Sequence, residues 1–306
     1  MAIKILKHNK LSWHLIDDLD AETVDFLKNN FRFHPLDIKD VTGGGQNPKI
    51  DVYNNYIFLI VYYPEISQDR KSMETIEVNI FFGDDYIVTV QKGKSRFIKN
   101  LFYRIQGNNR LKSEYFSQNS GLAVYWILES LYKYTNQSLN YLSQEIVSLE
   151  NFVYGEQKTK EVITQLTQIR RQIVNLKRIF DPQRYIINTL TRTKKVFLPV
   201  ALNVYFDDVD DMAERVSVVL DNYKETVNNL FEVSDALISY RTNEVIKVLT
   251  IFSVSMLPLT LLSGIYGMNI DSLPFAHHPQ SVGVIFALLA LIITLILITL
   301  RKRNWL

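Results

Sequence analysis

Two long apolar runs near the C-terminus constrain this fold more than any other feature of the sequence. Residues 282–300 form a run of nineteen residues without a charged side chain, and residues 248–266 form a second uncharged run. A helix of this length measures about 30 Å, which matches the hydrocarbon thickness of a bilayer. We therefore predict two transmembrane helices. The alternative is a pair of apolar helices buried in the core of a soluble protein.

Basic residues flank the two runs on one side only. Arg241 and Lys247 precede the first run and residues 301–303 follow the second, whereas the connecting segment 267–281 contains neither Lys nor Arg. Because positive charge marks the cytoplasmic side of a membrane, we expect a multi-pass protein of the inner cell membrane with both termini in the cytoplasm and lipids around its two helices. The N-terminus lacks the apolar region and cleavage site of a signal peptide.

The N-terminal part of the chain has the pattern of an α/β domain. Segments 49–64 and 75–93 are rich in Val, Ile, Tyr and Phe, with a break at residues 83–85, and they are predicted to form strands of a largely antiparallel sheet. Segments 21–30 and 95–105 are predicted to be helices.

From Gly121 onward the pattern is helical. Apolar residues at three- and four-residue spacing predict a helix to Tyr154 and another over residues 159–180, with a kink or stop at Asp181-Pro182. A third helix begins near Asn203 and meets no Gly or Pro before residue 258. A helix this long needs partner helices, so we predict a stalk that runs into the membrane.

The predicted fold class is an α/β cytoplasmic domain plus a long helical stalk and two transmembrane helices. The predicted boundaries are 1–120 for the α/β domain, 121–247 for the stalk region, 248–266 for the first span, 267–281 for an external loop, 282–300 for the second span and 301–306 for a basic cytoplasmic tail.

Composition excludes several classes of function. The chain has no cysteine, which rules out a disulfide scaffold, a Cys-ligated metal centre and a thiol nucleophile. A net charge of +2 is too balanced for a nucleic-acid-coating surface, so no nucleic-acid partner is expected. Gly43-Gly44-Gly45 with Lys49 lacks the spacing of a phosphate-binding loop, and no nucleophile–base pair is visible. We expect no enzymatic activity and no organic cofactor.

Acidic residues are concentrated in the first part of the predicted helix that begins near Asn203, whereas the predicted helix before it is basic. Two interpretations stay open: charge complementarity between the helices, with acids favoured at a helix N-terminus, or a subset of acids that holds a divalent cation. The acids between residues 203 and 235 are Asp207, Asp208, Asp210, Asp211, Glu214, Asp221, Glu225, Glu232 and Asp235.

A stripe rich in small and polar residues runs along the first apolar run, at positions that repeat every 3.5 residues on average. Its composition fits either close packing between two helices or the lining of a pore made by several copies of the helix. The stripe consists of Asn243, Ile246, Thr250, Ser253, Leu257, Thr260, Gly264 and Gly267.

The stripe ends in Tyr266-Gly267-Met268-Asn269. Here the chain resembles the CorA family of divalent-cation channels and transporters, whose signature is Gly-Met-Asn at the outer end of the first span. The preceding Pro-Leu-Thr-Leu-Leu-Ser-Gly-Ile, the segment 242–250 and the C-terminal Arg-Lys-Arg-Asn-Trp-Leu extend the resemblance. A fainter likeness includes Phe33-His34-Pro35-Leu36 and the following Asp40.

The resemblance implies a funnel-shaped homopentamer that moves Mg²⁺, and also Co²⁺ or Ni²⁺, down its electrochemical gradient. It places a selectivity filter for the hydrated ion at Gly267, Met268 and Asn269. It also implies that the pore narrows at Thr260, Leu257, Leu249, Ile246 and Asn243, with an acidic ring at Glu232. Leu249 lies one step off the stripe and is assigned from the resemblance alone.

Regulation is likewise implied by the resemblance. Cytoplasmic Mg²⁺ would bridge Asp208 of one subunit and Asp40 of its neighbour, assisted by Asp211, and would hold the pore closed. Lys39 stands where an acid is common in the family, which puts a second, adjacent ion site in doubt.

The predicted external loop departs from the family pattern. Phe275 replaces the usual glutamate and leaves Asp271 as one acid per subunit, while His277 and His278 are either polar loop residues or ligands for a transition metal. Two alternatives to the Mg²⁺ channel therefore stay open. One is a Zn²⁺ transporter of the ZntB-like branch, with or without proton coupling, and the other is a non-conducting membrane-anchored scaffold.

Overall fold

The chain folds into two compact units, Met1–Phe231 and Glu232–Leu306. The structure is a computed structural model that describes residues 3–17, 19–67, 73–91, 96–155, 159–268 and 279–302.

A six-stranded sheet forms the centre of the first unit. Its spatial order is β1-β2-β6-β5-β4-β3, and every neighbouring pair is antiparallel except β2 and β6. The largely antiparallel sheet predicted from the sequence is thereby confirmed. The strands are β1 (Ile3–His8), β2 (Leu11–Ile16), β3 (Lys49–Val52), β4 (Tyr56–Ile66), β5 (Met73–Gly83) and β6 (Tyr86–Gln91).

Helices cover both faces of the sheet, which explains why β4 is apolar at consecutive positions. Tyr56 and Phe58 belong to a buried cluster that includes Leu27 and Ile38 from the first two helices of the chain. On β2, the Trp13 ring packs edge-on against Phe102 with 5.1 Å between ring centroids, and its Nε1 donates a hydrogen bond of 2.9 Å to Thr89. A strand buried on both faces cannot show simple apolar–polar alternation.

The helical elements confirm the predicted α/β-plus-stalk fold class with local differences. The helices are α1 (Ala21–Asn30), α2 (Pro35–Gly43), α3 (Phe97–Gln106), α4 (Asn109–Tyr115), α5 (Ser120–Tyr154), α6 (Thr159–Arg192), α7 (Asn203–Tyr266) and α8 (Pro279–Lys302), with a 3-10 turn at Val200–Leu202. Two short helices, α2 and α4, were not expected from the sequence pattern, and α6 does not stop at Pro182 but continues to Arg192.

The second unit contains the C-terminal part of α7 and helix α8. Many of its large apolar side chains are exposed, among them Leu249 and Leu257, which are 62% and 67% accessible to solvent. Within the described residues, α7 contains a stretch with a mean hydropathy of 2.0 that is long enough to cross a membrane, and none of that stretch is buried. Contiguous exposed apolar surface of this kind marks a membrane or protein contact. The two spans and their boundaries stay predictions.

Candidate functional site

The predicted pore residues all lie on the exposed surface of α7. Asn243, Leu249 and Thr260 are exposed, Ile246 is 53% accessible and Leu257 is 67% accessible. Glu232 is exposed as well. Within the described residues of one chain, therefore, the side chains that were predicted to face the pore are accessible to solvent.

The hydroxyl groups of the stripe are turned toward the backbone of their own helix. Thr250 donates a hydrogen bond of 2.8 Å to the carbonyl oxygen of Ile246, and Ser253 donates one of 2.9 Å to that of Leu249. Thr260 repeats the pattern with a 3.0 Å bond to Met256. Each hydroxyl oxygen keeps its lone pairs for an outside donor.

Gly267 lies where α7 ends, and its local geometry leaves no room for a side chain. A Cβ atom at this position would lie 2.8 Å from the carbonyl oxygen of Ser263, whereas a Cβ at Gly264 would have no atom within 4 Å apart from the neighbouring backbone of its own helix. The backbone N–H groups of Gly267 and Met268 bond to Ser263 and Ile265 at 2.9 and 3.3 Å. A close backbone approach thus explains this glycine.

Several predicted residues lie outside the described part of the chain. Asn269, Asp271, His277 and His278 belong to this group. Their roles in the filter and in the external loop stay predictions.

Asp40, a predicted regulatory ligand, is ion-paired within its own subunit. It lies in the last turn of α2, and its Oδ2 is 2.6 Å from the Nζ of Lys49 at the start of β3. The same Nζ lies 2.6 Å from Oδ2 of Asp51. Although burial alone would lower the pKa of Lys49, hydrogen bonds and charge interactions with the two carboxylates raise it. The sequence analysis did not identify this three-residue cluster.

A second acid of α2, Asp37, was also missed by the sequence analysis. It is 1% exposed, and it accepts hydrogen bonds of 2.7 Å from Tyr56 and 3.1 Å from Tyr53. Burial raises the pKa of this carboxyl group, although both tyrosine hydroxyls oppose the shift. The hydrogen bonds tie α2 to β4 and fix the helix that carries Asp40.

Asp208, the other predicted regulatory ligand, faces α5. Its Oδ2 accepts a hydrogen bond of 3.4 Å from the hydroxyl of Tyr125, and the Tyr125 and Tyr205 rings pack edge to face at 5.0 Å. Burial, together with the charges of Glu129 and Asp208, raises the pKa of Tyr125, which keeps its hydroxyl a donor. Asp211, one turn further along α7, is exposed.

Other acids of α7 pair with α6. Lys177 lies 2.7 Å from Asp221, and Arg184 lies 3.5 Å from Glu214. Charge complementarity between the two helices therefore accounts for part of the acidic run. Asp208 is engaged by a tyrosine of α5 instead, so the structure separates it from these ion pairs.

Asp40 and Asp208 suit a hard divalent cation by their chemistry. Both are partly exposed carboxylates, and both use Oδ2 in the contacts described. Mg²⁺ prefers oxygen ligands and keeps several waters. The structure places the two acids on different elements, α2 and α7. Among the described residues of one chain, no three His, Asp or Glu side chains are grouped to hold a metal ion.

Comparison with known proteins places the chain in a family. The sequence profile described as "CorA-like Mg²⁺ transporter protein" matches residues 8–302. The chain is 25% identical to the cobalt/magnesium transport protein CorA of Thermotoga maritima, over 94% of this chain and 80% of that protein. It is 20% identical to the zinc transport protein ZntB of Pectobacterium carotovorum, over 99% of this chain and 90% of that protein.

A structural comparison agrees with the sequence match. The complete structure of the CorA magnesium transporter from Methanocaldococcus jannaschii superimposes with a TM-score of 0.85 at 20% identity, covering 98% of this chain and 93% of that one. The likeness shows that the fold is shared along nearly the whole length of the chain. The chain therefore belongs to the CorA family of divalent-cation transporters, membrane proteins that are not enzymes.

Proposed function

We propose that the chain assembles as a homopentameric channel that carries Mg²⁺, and also Co²⁺ or Ni²⁺, across the inner membrane. The observation that carries this proposal is the exposed polar stripe of α7, which leads to the Gly267–Met268 end of the helix. An exposed stripe rich in small and polar residues, on the apolar part of α7, is suited to face water inside a ring of copies. At a membrane potential of −100 mV, inside negative, a divalent cation gains about 4.6 kcal/mol on moving inward, so ion flow needs no nucleotide.

The filter of this channel is the Gly267-Met268-Asn269 motif. Mg²⁺ gives up its water shell reluctantly. A ring of neutral Asn269 amide oxygens and Gly267 carbonyls accepts hydrogen bonds from the waters of a hydrated ion and leaves that shell intact. Asp271 adds negative charge to the outer mouth.

The gate of the channel is apolar. Ile246, Leu249 and Leu257 are large, exposed side chains on α7, and rings of such side chains close a pore by excluding water. Asn243 and Glu232 form polar rings toward the cytoplasmic side, and Thr260 forms one toward the filter.

Cytoplasmic Mg²⁺ controls the gate in this proposal. Asp208 of one subunit and Asp40 of its neighbour hold the ion, with Asp211 as an additional acid. When Mg²⁺ is absent, the carboxylates repel one another and loosen the ring. Asp40 and Asp208 are partly exposed, which supports a site that an adjacent subunit completes.

Uptake into proteoliposomes tests the channel. Wild-type protein is expected to take up Mg²⁺, and Asn269→Ala is expected to lose most of that flux because the amide ring is gone. Asp208→Asn is expected to conduct at internal Mg²⁺ concentrations that close the wild type. Absence of wild-type flux would support the non-conducting scaffold instead, whereas full flux in Asn269→Ala would contradict the role of the amide ring in the filter.

Zn²⁺ transport is the second candidate function. It is favoured by the match to a zinc transport protein over nearly the full chain and by the adjacent His277 and His278 in the predicted external loop. Flux of Mg²⁺ and Zn²⁺ is measured with and without a pH gradient. Selective Zn²⁺ flux that follows the pH gradient would replace the Mg²⁺ proposal.

A further inference from the structure

The contact between Lys49 and Asp40 bears directly on the affinity of the proposed regulatory site. The Lys49 ammonium lies 2.6 Å from a carboxylate oxygen of Asp40 and 2.6 Å from one of Asp51. The three side chains are between one-fifth and two-fifths exposed, so solvent ions can reach them. A cation that belongs to the protein itself is therefore already shared between Asp40 and Asp51.

Three features of the fold position the Lys49 ammonium: the turn after α2, the neighbouring Asp51 and the ring of Phe58. Gly44 and Gly45, both with φ of 68°, reverse the chain after α2 and bring β3 back toward Asp40. Lys49 and Asp51 are two residues apart on β3, so their side chains lie on the same face of the strand. The ring of Phe58 on β4 lies 5.2 Å from the Lys49 Nζ, within the range of a cation–π contact.

We propose that Lys49 sets the Mg²⁺ affinity of the regulatory site by competing with the ion for Asp40. This inference rests on the proposed role of Asp40 as a Mg²⁺ ligand. The ammonium and Mg²⁺ repel each other when both contact one carboxylate, so Mg²⁺ binds Asp40 more strongly when the ammonium has moved away. Lys49 has a flexible four-carbon stem, and Asp51 remains as its partner after the move. The regulatory site consequently fills at a higher Mg²⁺ concentration than an unopposed Asp40 would require.

Lys39 offers a matched control for this inference. It is adjacent to Asp40 in sequence, is exposed, and carries the same charge, but it forms none of the contacts described for Lys49. Lys39→Gln and Lys49→Gln therefore change the net charge equally, and only Lys49→Gln removes the direct competitor.

The test is a Mg²⁺ titration of the thermal stability of the full-length protein in detergent. Ligand binding to the folded state raises Tm by mass action. The Mg²⁺ concentration at which this stabilisation reaches RT ln 2 is the midpoint of site occupancy, and it is obtained without ion flux. We expect Lys49→Gln to lower the midpoint about tenfold, the size expected when one unit charge is removed next to a divalent ion at a partly exposed site. Lys39→Gln is expected to change it less than about twofold, as for an exposed charge without a direct contact. In an Asp40→Asn background, Lys49→Gln is expected to have no effect on the midpoint.

Three results would overturn the inference. These are an unchanged or higher midpoint in Lys49→Gln, equal shifts in Lys49→Gln and Lys39→Gln, and a Lys49→Gln shift that persists in Asp40→Asn. If Asp40→Asn and Asp208→Asn weaken the Mg²⁺ response while Lys49→Gln leaves it unchanged, the regulatory site stands and only the role of Lys49 fails. If neither Asp40→Asn nor Asp208→Asn alters the response, both proposals fail together.

Discussion

His14 is a buried histidine whose surroundings disfavour the protonated ring. It lies on β2 with 9% of its surface exposed, its ring packs edge-on against Phe31 at 5.2 Å, and Nδ1 has no hydrogen-bond partner within the described structure. Burial, with a smaller effect of Lys7, lowers the pKa of His14 to about 4, although Asp85 opposes the shift. The neutral ring is therefore required by the fold.

The lowered pKa of His14 predicts a loss of stability in acid. Between pH 6.5 and about 4 the unfolded chain binds a proton that the folded chain rejects, so stability is complete above pH 6.5 and declines as the pH falls. The loss amounts to roughly 3 kcal/mol. His14→Phe should remove this component, as measured by urea unfolding of the solubilised protein at pH 7.5, 6 and 4.5. Parallel pH profiles for wild type and variant would refute it.

Gly267 predicts a sharp contrast with Gly264. A methyl group at residue 267 would approach the Ser263 carbonyl oxygen to 2.8 Å and distort the end of α7, whereas the same group at residue 264 would meet no atom within 4 Å apart from the neighbouring backbone of its own helix. We expect Gly267→Ala to reduce Mg²⁺ uptake at least about tenfold, a change of about 1.4 kcal/mol in barrier height. Gly264→Ala serves as the comparison. Equal flux in Gly267→Ala and wild type would show that the local geometry does not matter for conduction.

At the scale of elements, α6 supplies a hydrogen bond that the short strand β3 cannot. β3 pairs with β4 only as far as the partners Lys49 and Ile60, and the N–H of Tyr62 lies beyond it. The side chain of Gln183, 1% exposed, accepts a hydrogen bond of 2.9 Å from this N–H. The contact fixes α6 against β4 one residue after Pro182.

Removing that contact should destabilise the sheet edge. Gln183→Ala leaves the buried N–H of Tyr62 without an acceptor, which costs about 1–3 kcal/mol. Thermal unfolding of the full-length protein should show a lower Tm. The control is Gln168→Ala, at an exposed position of the same helix, which should leave Tm nearly unchanged. Similar Tm values for the two variants would contradict the role of Gln183.

Elements with strong periodicity were predicted well, and short elements were not. The bounds predicted for α1 and the start of α7 are confirmed, because each helix follows clear sequence signals. The nine residues of α2 give too little periodicity, although Pro35 at its start and Gly44 after its end are typical helix boundaries. α6 passes Pro182 because Ile186, Ile187 and Leu190 are fully buried, and their packing outweighs the one lost backbone bond.

At the scale of the whole molecule, the proposed homopentamer has a directly measurable mass. Native mass spectrometry in detergent should give a particle of five chain masses, and removal of Mg²⁺ with a chelator should increase proteolysis of the particle if Asp40 and Asp208 hold subunits together. A monomeric or dimeric particle under all conditions would contradict the proposed pore.

Sequence patterns indicated only those parts of the candidate site whose residues lie close together in the sequence. The Gly-Met-Asn motif and the acids of α7 are visible in the sequence because each lies within one segment. The partners of Asp40 and Asp208, Lys49 and Tyr125, were not predicted, because folding brings them together from different elements, as when Tyr125 meets Asp208 across 83 residues of chain. Contacts between copies of the chain are even harder to predict, because the pattern of one sequence does not show which surfaces of two copies meet.

The hydroxyls of Thr250, Ser253 and Thr260 donate their hydrogen bonds to backbone carbonyl oxygens of their own helix. Toward a pore, these three hydroxyl oxygens can accept hydrogen bonds, but their hydrogens are not available for donation. Waters around a cation point their hydrogens outward, whereas waters around an anion point them inward. If copies of α7 enclose an aqueous path, its surface favours the solvent shell of positive ions over that of negative ones without any formal charge.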